Sequence, residues 1–339
     1  MANVYGCDIG TSNMKLFSKE RDEVLNEKNI IAIANKDELM AFGDDAFQMY
    51  EKAPDYITVS YPVKYGVIAD IDNMEKLFEN FFRKMTHGKM SGGNDFYIAV
   101  PTDITEVEQR AFYELVTNAK VKARNVYIVD KPIADGIGAG IDVTDSKGVM
   151  VVNIGADTTE ISVMSLGGIV KSKSIKIGGN KLDESIVSGV RRSYNLVIGL
   201  KTAENIKKQI GSALQGEETF AKAFGRNIMS GLPVAMDVSS DVVYDSIIDH
   251  LRSIVDAVKM TLEITPPELA ADIIAYGINI TGGTSAIRDL QSFFEMETNL
   301  KANIIPNGSE SVVNGIRSII STPSYRKLAH APKEKTYIG

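Results

Sequence analysis

A single cysteine, Cys7, stands among 339 residues, so no intrachain disulfide can form and nothing suggests an oxidising compartment. Placed inside a strand-like run, Cys7 reads as a small core residue and not as a nucleophile. Proline is scarce at 10 residues, and no apolar run reaches the length of a membrane span. The opening residues, MANVYGCDIGTSNMK, lack a basic leader followed by a long apolar stretch, so no signal peptide is expected. The three histidines, His87, His250 and His330, have no metal-ligand spacing. There is no GxxxxGK[ST] segment, and no GxGxxG follows a strand, which argues against P-loop and dinucleotide-binding readings. The net charge of −7 disfavours nonspecific nucleic-acid binding, and no nucleic-acid partner is expected. What is present is the composition of a folded protein, 44% hydrophobic and 24% charged, long enough for two domains with separate apolar cores.

Hydrophobic periodicity organises the chain into α/β structure. Residues 4–9 (VYGCDI) read as a largely buried strand stopped by Gly10, and a second β-rich stretch follows with KNIIAIA at 28–34. Met74, Leu77, Phe78, Phe81, Phe82 and Met85 form a helical stripe. Residues 86–95 (THGKMSGGND) are a turn-rich loop, FYIAV at 96–100 a strand, and Thr105 with Glu108 a capping box for the next helix. NVYIV at 125–129 is another strand, after which Pro132 opens a short helix of small residues. The pattern then restarts. VMVVNI at 149–154 stops at Gly155, and ISVMSL at 161–166 follows a tight turn. Asp8-Ile-Gly and Asn153-Ile-Gly share one grammar 145 residues apart, which suggests two similar halves. Residues 181–230 read as helical and Gly-punctuated, a long helix spans about 241–263, and GINITGG at 277–283 is a strand entering a glycine turn.

Three glycine turns therefore follow apolar strands: Gly10-Thr11-Ser12-Asn13, Gly155-Ala156-Asp157-Thr158-Thr159 and Gly282-Gly283-Thr284. Glycine lets backbone N–H groups converge on an anion, and neighbouring hydroxyls can donate to phosphate oxygens. One such turn is ordinary architecture; three together point to a nucleotide cleft. An aspartate just before the first turn suits bare phosphate poorly, and Asp8 therefore reads as a ligand to the water shell of Mg²⁺. Glu204, Lys207 and Lys208 have helical i, i+3 and i, i+4 spacing, for which a surface salt bridge is the ordinary reading.

Dense matches then identify a family. CDIGTSN (7–13), YPVKYGVIADID (61–72), VPTDITEVEQRA (100–111), MVVNIGADTTEISVMSLGGIVKSKSIKIGG (150–179), YNLVIGLKTAENIKKQIG (194–211), TPPELAADI (265–273) and ITGGT (280–284) resemble the bacterial actins of the MreB family. TPPELAADI and SLGGIV favour that family within the wider superfamily of actins, 70-kDa heat-shock chaperones and sugar kinases. The resemblance implies an actin-like ATPase fold of two α/β domains in four subdomains, with ATP or ADP and Mg²⁺ between the domains. The first domain would span 1–141, with a peripheral part at 31–66 and the C-terminal 321–339 returning to it; the second would span 142–320, with a peripheral part at 178–244. The resemblance assigns Asp8, Gly10, Thr11, Ser12 and Asn13 to one phosphate turn and Gly155, Ala156, Asp157 and Thr158 to the other. It assigns Glu204, Lys207 and Lys208 to the nucleoside pocket, and Gly282, Gly283 and Thr284 to the adenosine turn. Head-to-tail filaments that pair side by side are the implied product, since heterologous contacts of this kind do not close.

The departures from the family pattern matter equally. NIGADT replaces the usual Asp-Ile-Gly-Gly-Gly-Thr, so Asn153 takes the place of a carboxylate behind the Mg²⁺ waters and remains a weak ligand through water. Asp157 brings negative charge where a glycine normally approaches phosphate. Lys131 stands where the family carries the glutamate that polarises the attacking water, and a charged lysine cannot accept a proton. Asp130 and Asp135 are nearby carboxylates, and Thr158, the other hydrolysis residue, is kept. The resemblance thus implies nucleotide binding with slow hydrolysis, carried by Asp8, Thr158 and the altered Lys131. The matching membrane loop, GKMSGGND, has only Met90 as an apolar residue. Arg326, Lys327, Lys333 and Lys335 in the tail, beside Glu334, offer weak attraction to anionic lipid. A cytoplasmic location follows, with the inner face of the cell membrane as its alternative. The Lys-, Asn- and Ile-rich composition suggests one of several diverged copies in a wall-less helical bacterium, acting with other MreB copies in cell shape, helicity or swimming. A sugar-kinase-like phosphotransferase and a chaperone-type ATPase domain are the competing readings. The first needs a carboxylate base beside an acceptor pocket, and the second normally continues into a substrate-binding domain.

Overall fold

The computed structural model describes residues 3–35, 37–89 and 92–331. Met90 of the 88–95 loop, and Lys333, Glu334 and Lys335 of the tail, lie outside the described residues. The chain divides into two compact units, Met1–Val143 with Glu310–Gly339, and Thr144–Ser309.

In the first unit, strand Asn3–Ile9 turns back antiparallel as Asn13–Ser18, which pairs antiparallel with Glu23–Lys28. On its other side Asn3–Ile9 runs parallel to Asn94–Val100, and that strand parallel to Ala123–Asp130. Ala329–His330 closes the edge. Parallel strands need both faces covered. One face receives helices Ile71–Met85 and Glu106–Asn118. The first is capped by the Asp70 carboxylate, which accepts from the Asn73 N–H at 3.1 Å. It buries the expected stripe from Met74 to Met85. Tyr5, Phe78, Phe82 and Phe96 meet there ring against ring. Each such side chain, fully buried, stabilises the fold by roughly 1.5–3 kcal/mol. The Thr105–Glu108 capping box forms on the second helix, with Thr105 N–H donating to Glu108 Oε2 at 2.7 Å and Glu108 N–H to Thr105 Oγ1 at 3.2 Å.

The opposite face is covered by Ser311–Ser321, whose Ile316 fills the space where a Cβ on Gly6 would stand. This helix crosses Lys131–Gly138 so closely that a Cβ on Gly315 would overlap the Ala134 carbonyl, and one on Gly138 the Ser311 carbonyl. The chain therefore returns to the first unit at Glu310, ahead of the expected 321, because that crossing and the Gly6 contact place the whole helix there. A small sheet of Ile31–Ala34, Glu38–Phe42 and Ile57–Ser60 with helix Gly43–Met49 occupies the expected 31–66 region. The expected β-rich stretch at 28–34 falls on two strands in different sheets, Glu23–Lys28 and Ile31–Ala34. Asn29 breaks it by turning its amide N–H to the Ser12 carbonyl and its side chain to the Gly10 carbonyl.

The second unit repeats the strand order of the first. Val149–Ile154, Thr159–Ser165 and Gly168–Ile175 form an antiparallel meander, and Val149–Ile154 then runs parallel to Ile278–Thr281, which runs parallel to Ala302–Ile304. Helices Gly179–Tyr194, Leu200–Ile210 and Ser240–Glu263 share one core with this sheet. The expectation of helix throughout 181–230 is corrected at its end. Phe220–Asn227 is a strand, paired with Leu196–Val197 and with Pro233–Ser239. The alternation there is inverted: Ala221 and Ala223 point inward while Phe220 and Phe224 are 58% and 68% exposed, so large apolar residues do not mark the buried face.

The tight helix crossing yields the first test. Gly315→Ala should destabilise the protein by about 1–3 kcal/mol or more through overpacking. Gly216→Ala, where a Cβ meets nothing within 4 Å, should stay within about 0.5 kcal/mol of wild type. Urea denaturation of the two variants measures the difference.

Candidate functional site

In both units the parallel strands deliver the glycine turns at their carboxyl ends, the usual ligand-binding end of an α/β sheet. Asp8 lies in register with Ala99, and Val100 with Asp130, so the 10–13 turn and the start of helix Lys131–Gly138 occupy the same end of the first sheet. Asn153 lies in register with Thr281, which brings the 155–158 and 282–284 turns to the same end of the second.

The turn of the first unit is closed by the Gly10 N–H donating to the Asn13 carbonyl at 3.1 Å. Ser12 Oγ donates to Asn13 Oδ1 at 2.9 Å and receives Lys28 Nζ at 3.1 Å. Asn29, fully buried, clamps the turn from below through Nδ2 to the Gly10 carbonyl at 2.7 Å and N–H to the Ser12 carbonyl at 2.9 Å. Thr11 stands at the tip of this turn. Directly across the hairpin from Asp8 is Lys15, whose Nζ sits 3.0 Å from Asp8 Oδ2 with both side chains at most 10% exposed. Removing one member of such a buried pair typically costs about 3–5 kcal/mol, because the other charge is left uncompensated.

Lys131 is the first residue of its helix, preceded by Asp130. Burial pushes the Asp130 carboxyl above the usual carboxylate range, against a smaller opposing pull from His330. Asp135, the other nearby carboxylate, is buried and accepts a hydrogen bond from Ser311 Oγ in the helix crossing, where it serves packing.

In the second unit the Gly155 N–H donates to the Thr158 carbonyl at 2.8 Å, the same closure as at Gly10. Thr284 Oγ1 donates to the Gly155 carbonyl at 2.8 Å and so ties the third turn to the second. Gly282, at φ +87°, has the backbone of residue 154 where a side chain would stand, so only glycine fits. The start of helix Gly179–Tyr194 completes the group. Gly179 N–H donates to the Gly155 carbonyl at 3.0 Å and Asn180 N–H to the Ala156 carbonyl at 2.7 Å. The Asp157 carboxylate accepts from Asn180 Nδ2 at 2.8 Å, which ties its charge to the amino end of that helix.

Glu204, Lys207 and Lys208 share one helix, as expected, and the structure gives them different partners. Lys208 pairs with Glu204 at 2.7 Å on the surface. Lys207 turns inward, 2.8 Å from Asp183 and 2.9 Å from the Gly179 carbonyl, beside the two glycine turns of this unit. Lys15, Asn29 and Asp183 escape the motif reading. Only Lys15 had a sequence signal, since a turn closed from Gly10 to Asn13 sets position 15 opposite position 8.

Among the described residues no group of three or more His, Cys, Asp or Glu side chains is placed to hold a metal ion. Mg²⁺ at such a site is usually carried by phosphates and water with one or two carboxylates behind. Asp8 is already engaged by Lys15, and Asn153, buried opposite Glu160, brings no charge. These residues do not fit an Mg²⁺ held by the protein itself.

The family described as MreB/Mbl protein matches residues 2–327. The cell shape-determining protein MreB of Escherichia coli K12 is 37% identical over 321 residues, which cover 93% of this chain and 92% of that protein. The cell shape-determining protein Mbl of Bacillus subtilis is 36% identical over 314 residues, covering 91% and 93%. MreB5 of Spiroplasma citri bound to AMPPNP superposes with a TM-score of 0.90 at 32% identity, over 96% of this chain and 98% of that one. The MamK double helical filament superposes with a TM-score of 0.79 at 20% identity, over 94% and 99%, a likeness of fold alone.

Asp183 supplies a pH test. Burial pushes its carboxyl up to about 6, against the pull of Lys207. The folded protein then holds this proton more tightly than the unfolded chain, so the contribution is complete below the unfolded value and is lost as pH rises through the folded one. Compared with Asp183→Asn, wild type should lose up to about 3 kcal/mol of relative stability between about pH 4 and about pH 6. A constant cost from leaving Lys207 unpaired in the variant is superimposed on this slope. Urea midpoints across the range measure it, and a flat difference would refute the assignment.

Proposed function

Because this chain belongs to the MreB/Mbl family, with an actin-like α/β fold, we propose that it is a nucleotide-binding cytoskeletal protein that polymerises into filaments and supports cell shape. The observation that carries this reading is the family match over residues 2–327, coupled to a glycine-closed hairpin turn built twice on the same strand order. The ligand is ATP or ADP, as favoured by the AMPPNP and ADP complexes of MreB5 of Spiroplasma citri. In the first unit Gly10, Thr11, Ser12 and Asn13 face the phosphates. In the second unit Gly155 to Thr158 do so, while Lys207 and Gly282 to Thr284 serve the nucleoside. Mg²⁺ enters this reading as a companion of the nucleotide's own phosphates. The chain acts as one copy among others of its family, in paired protofilaments with a role in helicity or swimming. It lies in the cytoplasm, with weak or indirect contact to the membrane; among the described residues no helix is long and apolar enough to cross one.

Hydrolysis is slow in this reading. Phosphoryl transfer to water needs an oriented, polarised water and fixed charges that stabilise the developing negative charge. Lys131 offers an ammonium where a proton acceptor is required. Asn153 contributes no charge, and Asp157 adds a carboxylate beside the turn, restrained by Asn180. Asp8 and Thr158 remain. Such a protein holds ATP while turnover drives little disassembly, which favours long-lived filaments.

Two measurements test the reading. Electron microscopy of the purified protein should show filaments with ATP, and their absence across nucleotide and salt conditions would defeat it. Steady-state phosphate release should be slow in wild type and rise by about tenfold or more in Lys131→Glu, since a positioned proton acceptor contributes about 10²–10⁴-fold. Lys131→Glu with Asp157→Gly should rise further, because both positions act on one transition state.

A further inference from the structure

The first hairpin carries its own cation. Asp8 precedes the 10–13 turn by two residues, and its carboxylate is met by Lys15 Nζ at 3.0 Å in a buried pair. A second ammonium, Lys28 Nζ, reaches the turn itself at Ser12 Oγ, 3.1 Å away. The equivalent hairpin of the second unit is arranged otherwise: Asn153 stands at the Asp8 position, and Glu160, directly opposite it, at the Lys15 position. The acid–lysine pair is thus a feature of the first turn and not a by-product of the repeated hairpin.

An unpaired aspartate next to a polyphosphate repels it, and a divalent cation with its waters ordinarily relieves that repulsion. Here the chain relieves it internally. Resting on the nucleotide-binding reading above, we propose that Lys15 is a built-in counter-cation for Asp8 and the first phosphate turn, so that nucleotide affinity in this protein depends only weakly on Mg²⁺. Lys15 is a positioning residue in this account. It neutralises Asp8, so that this carboxylate does not set an uncompensated charge against the phosphates. A lysine provides this without a metal's geometry, as a compact charge on a flexible stem held in register by the strand.

The test is a titration of the protein with fluorescent N-methylanthraniloyl-ADP, in excess Mg²⁺ and in excess EDTA. Wild-type affinity should change by less than about threefold between the two conditions, a difference under 1 kcal/mol. Lys15→Met should bind in Mg²⁺ and lose about thirtyfold or more in EDTA, because Asp8 then faces the phosphates uncompensated. Lys15→Arg should keep the wild-type ratio. Asp8→Asn with Lys15→Met removes both charges and should again show little dependence; it also replaces Lys15→Met as the informative variant if that protein does not fold. A wild-type loss of about thirtyfold or more on chelation, or equal ratios for wild type and folded Lys15→Met, overturns the role of Lys15 while leaving nucleotide binding intact. Absence of binding in both conditions overturns both.

Discussion

One backbone hydrogen bond, made once in each unit, organises the glycine turns. The N–H of Gly10 reaches the carbonyl of Asn13, and the N–H of Gly155 reaches that of Thr158. Each closes a hairpin whose first strand is also the inner strand of a parallel sheet, so each turn is delivered to the carboxyl end of that sheet. The remaining structure holds those two turns in place. Asn29 clamps the first from within its own unit, while the start of helix Gly179–Tyr194 and the Thr284 hydroxyl clamp the second. Rigid strands beneath and hydrogen-bonded loops around them leave little freedom for the backbone that would face phosphate.

Charge is distributed unequally over this repeated frame. The first turn carries an acid–lysine pair with a further lysine on its serine, and the helix that follows the last parallel strand begins with Lys131. The second turn carries an amide where the first has its acid, and the carboxylate added by Asp157 is tied to Asn180. Lys207, paired with buried Asp183, sets a cation against the Gly179 carbonyl. The frame is that of a nucleotide-binding family, and the slow hydrolysis proposed above rests on this uneven distribution of charge over it.

The hydrophobic pattern also decides how each region is covered. Aromatic packing around Phe78, Phe82 and Phe96 and the close crossing of Lys131–Gly138 with Ser311–Ser321 fix the first unit's turn on both faces of its sheet. The strand pair 220–239 is built otherwise, with alanines inward and phenylalanines outward, and contributes surface more than core.

Much of this was legible in the linear chain. The three glycine turns, the helical stripe of 74–85, the Thr105–Glu108 box and the repeated Asp/Asn-Ile-Gly grammar are local patterns, and local patterns are set by backbone geometry and side-chain period. The pairing of Glu204 with Lys208 followed from helical spacing in the same way. The inverted hairpin at 220–239 was not legible, because its buried face consists of alanines that carry almost no hydrophobic signal. The break at Asn29 and the turn of Lys207 toward Asp183 were not legible either, because each is made by a partner brought close only when distant segments pack. The amino-acid sequence by itself determined where the chain turns and what chemistry stands at each turn. Tertiary structure alone decided which distant groups meet, since packing and long-range pairing, and not residue type, bring Asp157 to Asn180 and Lys207 to buried Asp183.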